Sequence, residues 1–161
     1  MTLAQYQTWL TEVVAPTAPM FRLVPPESLG WQLTPASFTV GQILAHIPRS
    51  LSFNAVVLGG GEPPARSMRE IFVANRRQPA AGVEEALGML EEGVGAYRRA
   101  MEGIGEARFA GGMIDTPQLG SIPVWRFGLF VAEHHIHHLM ELHLSLKALG
   151  VKVHTGTLYR G

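Results

Sequence analysis

Two short signatures constrain the fold before composition is considered. Thr2 followed three residues later by Gln5, and Thr39 followed by Gln42, have the form of capping boxes. In such a box each side chain satisfies a backbone N–H that a helix start leaves without a partner. Apolar residues then follow at helical spacing: Leu3, Tyr6, Leu10, Val13 and Val14 after the first box, and Val40, Ile43, Ile47 and Leu51 after the second. The second helix is expected over about 40–58, where the triple glycine from Gly59 stops it, with Pro48 bending it two residues past His46. VEEALGMLEEGVGAYRRAME predicts a third helix over about 80–103. A fourth runs from VWRF to KALG, launched by Ser121 and Pro123 and ended by Gly150. Strand alternation is almost absent. Four long amphipathic helices around one core make an all-α four-helix bundle the expected architecture, as a single domain over residues 1–161.

The connections carry less information. APTAPMFRLVPPESLGWQLTPAS holds five prolines and is expected to kink the first helix or form a long connection, with Phe21, Leu23 and Trp31 packing down. PPARSMREIFVANRRQPAAG reads as a loop with one short helix, and GIGEARFAGGMIDTPQLGSIP as a glycine-rich stretch with room for a short extended excursion.

Lys+Arg and Asp+Glu number 13 each, so no electrostatic case exists for a nucleic-acid partner. The chain has no cysteine. That excludes disulfides, cysteine-ligated zinc, iron–sulfur clusters and thiol catalysis by the protein itself; a metal site must be built from His, Asp and Glu. The first residues lack the basic and apolar regions of a signal peptide, and no apolar run is long enough to span a membrane. A cytoplasmic protein with no membrane partner is therefore expected.

The chemistry is concentrated in EHHIHHLMELH, residues 133–143, which holds five of the seven histidines. His134 and His138 lie one turn apart and about 40° around the helix from each other, so their imidazoles can converge on one point. Two histidines at i and i+4 are how one helix supplies two metal ligands. The third must come from elsewhere, and His46, in the apolar setting ILAHIP, is the natural donor. Three neutral imidazoles leave positions open for water or substrate, as catalytic metal sites do. Glu141 shares the stripe of His134 and His138 and is a candidate fourth ligand or acid/base group, although a carboxylate outside the ligand set is the simpler reading. His137, at the margin of the stripe, is a candidate proton carrier. His135, His137 and His143 otherwise read as surface groups or neighbours of the site, and His154 has no visible partner.

These pieces, FTVGQILAHI around His46 and EHHIHHLMELHLSLKALGV around His134 and His138, resemble the DinB/YfiT-like superfamily, and VKVHTGTLYRG resembles the short tail that closes such chains. The resemblance implies an up-down-down-up bundle with a divalent transition metal, often nickel or zinc, held by His46, His134 and His138. It also implies frequent dimers, so a homodimer is expected, and the positive mean hydropathy is compatible with one. One departure is visible. Many members follow the last ligand with Arg-Gly-Gln, where this chain has Leu139, Met140 and Glu141.

Characterised relatives include thiol-dependent S-transferases and isomerases. The resemblance therefore favours metal-assisted activation of a low-molecular-weight thiol for transfer to a small electrophile. A hydrolase using metal-bound water, with Glu141 or His137 carrying the proton, is the second enzyme reading. A non-enzymatic, stress-associated metal-binding or interaction protein is the third. Arg66, Arg69, Arg76 and Arg77 are candidates to meet an anionic cosubstrate, although a solvated basic loop is the simpler reading.

Overall fold

The computed structural model describes residues 1–65 and 67–160. Both capping boxes are formed. Thr2 Oγ1 accepts from Gln5 N and Gln5 Oε1 from Thr2 N at the start of α1 (Leu3–Val14). Thr39 and Gln42 make the same pair at the start of α3 (Val40–Leu58). α3 continues through Pro48 and ends at the glycine run, where Gly60 takes a positive φ of 76°. The proline-rich connection folds into the short helix α2 (Thr17–Arg22) and a 3₁₀ turn at Pro26–Ser28. Met20 and Phe21 of α2 are fully buried. The single short helix expected after the glycines is α4 (Met68–Arg77). None of its described residues is buried.

The third long helix, α5 (Val83–Gly111), starts later and runs further than its sequence suggests. Gly105 interrupts it with φ 68° and ψ 167°, a conformation open to glycine, after which the helix resumes. This break aims Glu106 at the start of α1, where its carboxylate accepts from Leu3 N at 2.9 Å. A hairpin follows, with β1 (Met113–Thr116) antiparallel to β2 (Gly120–Pro123) in the register Met113↔Pro123 to Thr116↔Gly120. Ser121 therefore lies in a strand and does not cap the last helix; Pro123 stands at the N-cap of α6 (Val124–Ala148). Gly150 has φ 79°, with Gly150 N bonded to Lys147 O and Val151 N to Leu146 O. This Schellman closure uses glycine where the last residue before the exit must be left-handed. The tail ends in α7 (Thr155–Arg160).

The protein is all-α apart from this hairpin. α3 packs along α5 and α6, and α1 packs against α5 and α6. Their shared core includes Tyr6, Phe21, Ile43, Leu44, Leu51, Tyr97, Phe109, Phe127 and Leu142. Tyr6 donates to Gly128 O at 2.9 Å, leaving Tyr97 to donate to the Tyr6 oxygen at 3.2 Å. Burial pushes the pKa of both phenols up, so both remain donors. α3 and α5 approach closely at Gly93, where a Cβ would lie 2.8 Å from Pro48 O. That approach sets the helix carrying His46 against the core. No helix among the described residues is long and apolar enough to cross a membrane.

Candidate metal centre

α6 buries Val131, His135, Leu139, Leu142 and Leu146 against the core. Beside this stripe, His134 and His138 are half-buried and meet buried His46 of α3. One ring nitrogen from each histidine lies within 4.8 Å of the others, and His46 Nε2 is 3.1 Å from His134 Nε2. Ring centroids are 4.4 Å apart for His46 and His138 and 4.6 Å for His134 and His138, both edge-on. Two imidazole nitrogens, each about 2.1 Å from one ion, stand roughly 3 to 3.5 Å apart. The His46–His134 separation lies in that range.

The electrostatics favour neutral ligands. Burial lowers the pKa of His46 to about 4, assisted by the neighbouring His138, while the Gln78 side chain, as an acceptor, opposes the shift. Burial, then the charges of His138 and His46, lower that of His134 to about 3. Both rings are thus unprotonated at neutral pH, with lone pairs free of the proton that otherwise competes with a metal. His138 Nδ1 donates to Glu141 Oε2 at 2.9 Å. This leaves Nε2 of His138 as its lone-pair nitrogen, in the arrangement by which carboxylates fix the tautomer of metal-binding histidines. The three-histidine group can therefore hold a metal ion.

The model of the DinB superfamily matches residues 10–142. The chain belongs to the DinB superfamily. The DinB fold extends across its length: a DinB-like protein from Bacillus cereus superposes with a TM-score of 0.73 at 16% identity, covering 95% of this chain and 96% of that one. A DinB-like protein from Bacillus subtilis gives 0.68 at 13% identity, covering 92% and 94%. A DinB family member from Shewanella denitrificans gives 0.53 at 18%, covering 99% and 89%. No curated protein matches this DinB chain.

The remaining sequence candidates separate clearly. Glu141 is half-buried and engaged with His138, so it lies behind a candidate ligand. His137 is exposed, its ring 5.2 Å from that of His138. His135 and His143 are not surface groups: they are 1% and 3% exposed. His135 Nε2 is 2.7 Å from Thr17 Oγ1 of α2, and His143 Nε2 bonds the carbonyl of His154 in the tail. Of the basic candidates, Arg69, Arg76 and Arg77 lie on α4, and Arg66 lies outside the described residues.

Three neighbours of the histidines are not among the sequence candidates. Phe38 sets its ring, tilted, 5.0 Å from His46 and 5.9 Å from His138, and Phe130 lies 5.9 Å from His134. Phe130 was findable, since it precedes His134 by one helical turn. Phe38 and Gln78 come from connections without periodicity. A recess of about 430 Å³ lies elsewhere, between α1 and α5 over Leu51, and shares no residue with the histidine group.

Proposed function

We propose that His46, His134 and His138 hold one divalent transition metal, nickel or zinc, and that this centre activates a low-molecular-weight thiol for transfer to a small electrophile. The observation that carries the metal site is the convergence of three histidine nitrogens within 4.8 Å, from two helices. When bound, the ion would supply Lewis-acid activation, lowering the pKa of a bound thiol or water and polarising a substrate oxygen. The chain's own part is to present neutral imidazoles, to hold His138 through Glu141, and to flank the centre with Phe38 and Phe130. Because the chain contains no cysteine, the thiol must come with a cosubstrate. Resemblance to thiol-using relatives supports that assignment.

Hydrolysis by bound water is the second reading. Exposed His137 beside His138 supports it, as a group placed to exchange protons with solvent. Glu141 is less suited to that task, because its oxygen already accepts from His138. Turnover assays on metal-loaded protein separate the readings. Consumption of an electrophile only in the presence of a small thiol supports transfer; thiol-independent ester or amide cleavage, lost in His137→Gln, supports hydrolysis. Tight metal binding without turnover of either kind would assign the protein to metal binding alone.

A further inference from the structure

The segment joining α4 to α5 lies on the helix that carries His46. Gln42 Nε2 donates to Gln78 O at 3.4 Å, and Gln78 Nε2 donates back to Gln42 O at 3.1 Å. Arg49 donates to Pro79 O at 2.9 Å, and Ala81 N donates to Gly41 O at 2.9 Å. These anchors fall on α3 before and after His46, within about one helical turn of it on either side. Two of them require particular residues. Gln42 closes the capping box with its Oε1 while its Nε2 reaches the connection. Gly41 leaves room: a Cβ there would stand 2.8 Å from Ala80 Cβ and 3.3 Å from Ala81 O.

We propose that residues 78–81 form a strap that orients His46 toward the other two histidines, with Gln78 as the positioning residue. His46 Nε2 faces His134, so Nδ1 is the nitrogen left for an outside partner. The Gln78 amide nitrogen is committed to Gln42 O, one turn before His46 on the same face of α3, so the Gln78 oxygen is the atom that would accept from the His46 ring. Gln78 thereby does for His46 what Glu141 does for His138. Each fixes an Nδ1–H tautomer and leaves the Nε2 lone pair facing the centre. His134 is steadied by packing against Phe130.

This inference rests on the metal centre proposed above, and one experiment separates their failures. Zinc affinity is measured on the full chain by competition with a chromophoric chelator, for the parent, His46→Ala, Gln78→Ala, Gln78→Glu and Gly41→Ala. Gln78→Ala should bind zinc about 10- to 100-fold more weakly, the usual effect of losing an outer hydrogen-bond partner of a ligand. Gln78→Glu keeps an acceptor for the same N–H but loses the N–H bonded to Gln42 O, so it should recover part of the affinity lost in the alanine variant. Gly41→Ala should weaken binding with Gln78 intact, by displacing the strap. Circular dichroism of the metal-free variants should show an unchanged helical fold. A parent that binds no zinc would overturn the metal centre and the strap's role together. A parent that binds zinc, with Gln78→Ala equally tight or Gln78→Glu no better than Ala, would overturn the strap alone.

Discussion

Glu141 acts on the candidate site through His138, at 2.9 Å from its Nδ1. Glu141→Gln replaces a charged acceptor by a neutral one, and zinc titration should show affinity reduced by about tenfold or more. Unchanged affinity would detach Glu141 from the centre. His135 sits on the same helix but belongs to the core: Thr17 Oγ1 is the only hydrogen-bond partner of its ring among the described residues, and its Nδ1 is buried without one. Thr17→Val removes that partner and should cost about 1–3 kcal/mol in denaturant unfolding, with zinc affinity unaffected. Burial also holds the pKa of His143 below the ordinary histidine value. The unfolded chain then binds this proton more readily than the folded one, so stability falls as pH drops below about 6.5. His143→Gln removes the titration, and its stability measured between pH 7 and 5 should decline less steeply than the parent's. The roles of His135 and His143 were hidden because counting angles from His134 says where a side chain points. It does not say which neighbouring element waits there, and Thr17 and the His154 carbonyl come from an irregular connection and the tail.

At the scale of elements, the close approach of α3 and α5 decides where His46 lies. Gly93→Ala would gain about 1 kcal/mol of helix propensity. The added Cβ, however, would stand 2.8 Å from the Pro48 carbonyl, a backbone atom with little freedom to yield. The expected net result is a loss of about 1–3 kcal/mol, read in chemical denaturation, because separating packed helices costs more than the propensity gained. A stability equal to or above the parent's would show that the interface relaxes freely. Helix starts were legible because a capping box is local: Thr2–Gln5 and Thr39–Gln42 act within four residues. The far end of α5 was not. Gly103, Gly105, Gly111 and Gly112 read as linker composition, yet the helix restarts after Gly105 and holds Leu3 through Glu106. The strap over α3 was equally hidden, since Gln78, Pro79, Ala80 and Ala81 have neither periodicity nor a turn motif, and their anchoring depends on a partner about 36 residues away.

At the scale of the molecule, the packing of α3 against α6 brings together histidines separated by 88 residues, and their ring nitrogens meet without a loop to carry them. The i, i+4 pair on α6 and a single apolar-flanked histidine on α3 were enough to nominate the trio, because helices have fixed periods. The outer groups that orient it required tertiary structure. If the site forms only in the folded chain, binding stabilises by mass action, and added zinc or nickel should raise the melting temperature of the parent but leave that of His46→Ala unmoved. The central claim is tested most directly by elemental analysis of protein purified without an affinity tag, beside the His46→Ala variant. One transition metal per chain in the parent and none in the variant is the predicted result. No metal in either after soaking with zinc and nickel, or equal metal in both, would contradict a centre built on His46, His134 and His138.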